Sequence, residues 1–208
     1  MGFLPFLLFI TAGFISGGIM FSRIIPKLFS HKDVCELSDD GNPGAFNVFA
    51  HCGKAAGCVC LALDVLKGFV PVLLASFFLD ASNPAFALVM AAPVLGHALG
   101  LFNGFRGGKC ISTSFGVMFG IIPVTVFGII FLAVLYIFFS GIVRIKPNKK
   151  CSIIVYSLFL ALSVTFFNVT GLYAVALGCA VISGTAIVKH VRAAESAVGE
   201  RENERRDY

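Results

Sequence analysis

Five stretches of this chain carry almost no charge, and each is long enough to cross a bilayer: residues 3–22, 55–79, 84–105, 111–143 and 151–188. A helix needs about 20 apolar residues to traverse the hydrocarbon core. Inside these stretches the only Asp, Glu, Lys or Arg are Asp64 and Lys67. With 58% hydrophobic and 13% charged residues in 208, a water-soluble globular domain is excluded and a polytopic membrane protein remains.

The first stretch has no Lys or Arg before it, as a secretory leader would, so it reads as a retained span. Residues 111–143 are too many for one upright helix and contain Pro123, which predicts a short span followed by a full one. The last stretch is interrupted around Asn168, Thr170 and Gly171 and predicts a helical hairpin. The expected fold is therefore all-α, with about seven transmembrane helices.

Charge placement orients them. Apart from Lys67, every Lys and Arg falls in residues 23–54, 106–109, 144–150 or the tail from Lys189, whereas the connections near Asp80, Ile122 and Asn168 have none. Seven spans put all the basic segments on one side, which the positive-inside rule makes cytoplasmic. The N-terminus is then outside and the C-terminus cytoplasmic. Residues 1–190 are expected to form one membrane domain, followed by a polar cytoplasmic tail, 191–208, with a frayed end. The net charge of +5 reads as topology and contact with anionic membrane lipids, and no nucleic-acid partner is expected.

The seven Cys are an odd number, and all fall in spans or cytoplasmic segments where thiols stay reduced. Cys35, His51, Cys52, Cys58 and Cys60 are neighbours, but no C-x-x-C occurs and Cys58-x-Cys60 opens an apolar helix. Small packing residues are the expectation, with no metal and no cofactor.

Three polar segments share the cytoplasmic side. Gly104-Phe105-Arg106-Gly107-Gly108-Lys109, followed by Ser112 and Thr113, joins flexible backbone and cations to a helix start, a combination suited to an anion. Asp64 and Lys67 lie three apart on one helix face; they either neutralise each other as a buried pair or, with Gly68 and Pro71 loosening the helix, present Lys67 to a cavity. Asp40-Gly41-Asn42-Pro43-Gly44-Ala45-Phe46-Asn47 forms either a plain turn or a loop wrapping a small polar ligand.

Taken together, Gly41-Asn42-x-Gly44-Ala45-x-Asn47, Leu63-Asp64-x-Leu66-Lys67-Gly68-x-x-Pro71-Val72, and Gly96-His97 leading to Phe105-Arg106-Gly107-Gly108-Lys109 and Thr113 resemble the motifs of bacterial membrane glycerol-3-phosphate acyltransferases of the PlsY type. The resemblance implies transfer of a fatty acyl group from acyl phosphate to the 1-hydroxyl of glycerol 3-phosphate, giving lysophosphatidic acid for phospholipid synthesis. It implies a cell-membrane enzyme with a cytoplasmic active site and neither metal nor cofactor. Carried over by position, Arg106, Gly107, Gly108, Lys109 and Thr113 hold phosphate, and Asn42, Gly44 and Asn47 line the first loop. Lys67, Gly68 and His97 complete the pocket, and His190 matches a histidine ending the last span. Lys109, His97 and Asp40 are the expected catalytic groups.

The departures are specific. Where the resemblance leads one to expect Ser before Gly41 stands Asp40, Thr is replaced by Phe46, the Gly after Lys109 by Cys110, and a Lys by Arg106. A carboxylate at 40 repels phosphate where a hydroxyl would donate to it. Asp40 then acts as general base, selects an acceptor other than glycerol 3-phosphate, or marks a lipid-, phosphate- or anion-handling membrane protein that keeps the fold without the reaction.

Overall fold

A computed structural model describes residues 2–38 and 41–206, with side chains described to residue 192. All regular structure among them is helical. The order is α1 (Phe3–Gly18), α2 (Phe21–Ser30), α3 (Val34–Leu37), α4 (Ala45–Cys52), α5 (Lys54–Phe78), α6 (Ala85–Leu99), a 3-10 turn (Leu101–Asn103), α7 (Ile111–Gly120), α8 (Phe127–Tyr136) with a π-helical extension (Ile137–Ile142), α9 (Asn148–Val169) and α10 (Tyr173–Arg206).

Four helical segments are long and apolar enough to cross a membrane: Lys54–Phe78, Ala85–Asn103, Asn148–Val169 and Tyr173–Arg192. A fifth arises if α1 and α2, bent by 41° at residues 19–20, count as one span. The first apolar stretch is thus not the straight helix expected over 3–22: α1 stops at Gly18, and the amphipathic α2 turns away. At 1.5 Å per residue α7 is only about 15 Å long, half the hydrocarbon thickness. Residues 111–143 do divide in two, with Pro123 in the turn between Gly120 and Phe127.

The terminal hairpin turns at Gly171, whose φ of +80° suits glycine. Beyond it α10 continues past residue 190 to Arg206, so the backbone of residues 191–206 is a helical extension of the last span. The bonds of one helix carry across that boundary, and hydropathy alone does not end it.

Small residues let the helices approach closely, as is usual where lipid removes the hydrophobic drive for helix pairing. A Cβ at Gly17 of α1 would overlap the Pro93 carbonyl of α6, and one at Gly116 of α7 would overlap the Val65 carbonyl of α5. Gly116→Val should therefore cost about 3 kcal/mol, the upper end for overpacking, read as a lower unfolding temperature in detergent. A melting curve matching the wild type would contradict this contact. Around these seams a buried core gathers Phe86, Met90, Met118, Tyr156, Phe159, Phe167 and Ile182.

A smaller cluster of Val34, Ala45, Val48 and Cys60 fixes the first loop against α5. Asp33 caps α3 by accepting from the Cys35 N–H and pairs with Arg23 at 2.8 Å. The Arg23 guanidinium holds the Asp33 carboxyl below its ordinary range. That pair ties α2 to α3 and fixes how the chain enters the segment before α4.

Candidate active site

A cavity of about 330 Å³ opens where the starts of three helices meet the end of α6 and the middle of α10. It lies at the small end of the range for small-molecule sites. Gly44, Ala45 and Asn47 bring the start of α4, Cys110, Ile111 and Ser112 the start of α7, and Asn148 and Lys149 the start of α9. His97 and His190 come from the last turn of α6 and from α10. The first N–H groups of a helix lack intrahelical partners and carry partial positive charge. Three such ends, with the Lys109 and Lys149 side chains, make the cavity a place for anionic oxygens.

The first loop is shaped by its own amides. Asn47 Nδ2 donates to the Asn42 carbonyl at 2.9 Å, and Gly41 takes a φ of +57°. A Cβ at Gly44 would come within 2.6 Å of Asn42 Nδ2. Asn42, Gly44 and Asn47 thus reach the cavity together. Asp40 lies outside the described residues.

The glycine loop behaves differently from the expected cradle. The Gly108 N–H donates to the His97 carbonyl at 3.1 Å, so it is spent on the end of α6 and does not face a ligand. A Cβ at Gly107 would overlap the Ala98 and His97 carbonyls, and one at Gly108 would overlap His97 Nε2. These glycines allow the loop to lie flat on α6 and leave room for the imidazole. Arg106 is exposed on the outer side of the loop, beside Arg23 and Asn103, and of this segment only Lys109 and the residues after it reach the cavity.

Lys67, Gly68 and Thr113 also fall outside the lining. Helix α5 runs unbroken through Gly68 and Pro71, so nothing swings Lys67 outward. Its Nζ donates to the Ile19 carbonyl at 2.6 Å and pairs with Asp64 at 2.8 Å, both side chains being 2% exposed. Asp64 also accepts from Ser22 at 2.8 Å and does line the cavity. Gly68 admits the Thr113 carbonyl, which would sit 2.5 Å from a Cβ there, and Thr113 is fully buried against α5. Both serve the contact between α5 and α7.

The two histidines offer different edges. His97 is 4% exposed, and its Nδ1 has no hydrogen-bond partner among the described residues. His190 is 1% exposed with Nδ1 2.8 Å from the Ala186 carbonyl. Assigning a proton to Nδ1 for that bond makes Nε2 the acceptor edge, suited to a hydroxyl.

Sequence reasoning missed Tyr136, Ser140, Asn148, Lys149 and Ser152, all of which line the cavity along with Ser112. Lys149 sits in the basic run that charge placement already explained as topology. Tyr136 and Ser140 flank and occupy the π-helical extension, a wider turn that apolar periodicity does not reveal and that often marks functional sites. Cys110, where the resemblance leads one to expect Gly, has a φ of +69°, the left-handed region glycine favours. Among the described residues no three His, Cys, Asp or Glu are grouped to hold a metal ion.

The family model described as glycerol-3-phosphate acyltransferase matches residues 7–198. A glycerol-3-phosphate acyltransferase of Hydrogenobaculum sp. is 37% identical over 123 residues, 59% of this chain and 62% of that protein. One from Endomicrobium trichonymphae is 35% identical over 142 residues, 65% of this chain and 70% of its own length. The chain thus matches less than two thirds of the Hydrogenobaculum protein's length. The crystal structure of PlsY (YgiH), an integral membrane glycerol 3-phosphate acyltransferase, in its glycerol 3-phosphate form superposes with a TM-score of 0.75. Identity is 27%, over 95% of this chain and 94% of that one. Its lysophosphatidic acid form gives a TM-score of 0.72 at 28% identity, over 95% and 93% of the two chains.

Proposed function

The chain belongs to the glycerol-3-phosphate acyltransferase family, and from that premise we propose that it moves a fatty acyl group from acyl phosphate to the 1-hydroxyl of glycerol 3-phosphate. The hydroxyl oxygen attacks the acyl carbonyl carbon, the bond from that carbon to the phosphate oxygen breaks, and lysophosphatidic acid and inorganic phosphate leave. The observation that carries this reading is the convergence of the α4, α7 and α9 starts with Lys109 and Lys149 on one cavity. Donor and acceptor each bring a phosphate, and a reaction between two phosphates needs positive charge divided between two positions.

Within the cavity Lys109 and the start of α7 hold one phosphate and Lys149 with the start of α9 the other. Asn42 and Asn47 shape the wall facing the acceptor. His97 and His190 meet hydroxyl and carbonyl oxygens, and the hydroxyl proton passes to a basic group, a role open to His97 and Asp40. Gly44, Gly107 and Gly108 set backbone positions; Lys67, Gly68 and Thr113 hold α5 and α7 in place behind the wall. No cofactor is needed, because phosphate is already a good leaving group.

We place the chain in the cell membrane with seven membrane segments, the N-terminus outside and the cavity on the cytoplasmic side. In support, the basic segments gather at the cavity ends of the helices, while Asp80, Ile122 and Asn168 mark turns without Lys or Arg. The acyl chain of the donor then reaches the cavity from the bilayer.

Purified protein in lipid discs, given acyl phosphate and labelled glycerol 3-phosphate, is expected to form labelled lysophosphatidic acid and phosphate in equal amounts. No product from folded protein with this or other polyol phosphates would end the reading. Turnover confined to another polyol phosphate would reassign the acceptor and point to Asp40.

A further inference from the structure

We propose that the groove between α1, α2 and the 3-10 turn after α6 is a binding site for an anionic phospholipid, separate from the acyl-transfer cavity. It encloses about 590 Å³ and shares no lining residue with that cavity. The 41° bend between α1 and α2 opens it, and Phe102 closes its far side. Arg23 fixes the shape: it pairs with Asp33 at 2.8 Å and donates to the Asn103 side chain, while Asn103 Nδ2 donates to the Arg106 carbonyl at 2.6 Å.

The walls are apolar and open to the bilayer. Ile15 is 46% exposed, Ile24 43% and Phe102 62%, and together they offer the surface an acyl chain covers. At the polar rim, Lys27 lines this groove and Arg106 the adjoining recess, which shares Arg23, Phe102 and Asn103 with it. Among the described residues, neither Lys27 nor Arg106 forms an ion pair or donates a side-chain hydrogen bond. Arg23 is already neutralised by Asp33. Two cations outside any salt bridge among the described residues, beside an apolar trough, match a headgroup phosphate joined to an acyl chain, because a free phosphate would leave the trough uncovered.

This assignment also gives Arg106 a task. Its loop lies flat on α6, so its guanidinium cannot share a phosphate with Lys109 in the cavity. It faces the headgroup zone, where basic side chains attract anionic lipid.

Protein in detergent, titrated with phosphatidylglycerol or phosphatidylcholine, can be scored for retained lipid by native mass spectrometry without any substrate. One phosphatidylglycerol should be held in preference to phosphatidylcholine. Combining Lys27→Gln with Arg106→Gln should weaken it about thirtyfold, roughly fivefold per cation. Phe102→Ser should weaken both lipids, and millimolar inorganic phosphate should displace neither. Equal phosphatidylglycerol retention by the wild type and the double variant would overturn the proposal, as would displacement by phosphate. Should the double variant not fold, the single Lys27→Gln variant, expected to lose fivefold, decides the matter. Since the readout is lipid retention, failure here leaves the acyl-transfer reading intact, and the reverse holds too.

Discussion

Lys109→Met is expected to lower kcat/KM for acyl transfer by about 10²- to 10³-fold, with folded yield unchanged. The size follows from the loss of a charged donor aimed at developing negative charge in a water-poor site. Lys109 is the one cation of the glycine loop that reaches the cavity, next to the start of α7. Methionine keeps the apolar stem, so the change isolates the charge. Lys109→Arg should recover only part of the rate, because a planar fork does not replace a compact ammonium. Initial rates with labelled glycerol 3-phosphate, against a melting curve for each variant, separate chemistry from folding. A Met variant within about threefold of the wild type would remove Lys109 from the site.

Much of the architecture was legible because membrane helices declare themselves by uncharged length. The breaks at Pro123 and Gly171 fall where turn-forming residues interrupt the apolar runs. The bend after Gly18 was not visible, since residues 19–22 are as acceptable to a bilayer as those before them. It depends on Gly17 and Gly18 packing under α6 and on α2 becoming amphipathic, both of which are tertiary effects.

The site was legible as a set of segments and less so as a set of side chains. Asn42, Gly44, Asn47, His97, Lys109 and His190 all reach the cavity. Residue type alone misassigned the glycines of the loop: Gly107 and Gly108 accommodate the end of α6, and the Gly108 N–H is consumed there. Conformational freedom and close packing leave the same letter in a sequence. Asn148 and Lys149 escaped for the opposite reason, because a basic run before a span already had a sufficient explanation in topology.

Lys67→Ala is expected to cost about 3–5 kcal/mol of stability, the amount typical when one partner of a buried ion pair is removed. Asp64 would keep only its bond from Ser22, with its carboxylate beside the cavity, and the Ile19 carbonyl would lose its donor. Activity should fall as well, through collapse of the wall that Asp64 shares with the cavity and not through lost contact with phosphate, since Lys67 does not line it. The double variant Asp64→Leu with Lys67→Met separates the two effects. Replacing both charges by apolar groups removes the desolvation cost and should restore most of the stability, while turnover stays low because the wall has lost its carboxylate. Unfolding temperature in detergent and acyl-transfer rate, measured on both variants, test this directly. If Lys67→Ala melts with the wild type yet is inactive, Lys67 is a substrate ligand that the closed pair hides; if the double variant regains turnover, the pair is structural support alone. The geometry argues for neither extreme, because one partner of the pair faces the cavity and the other is held wholly by α5 and the end of α1.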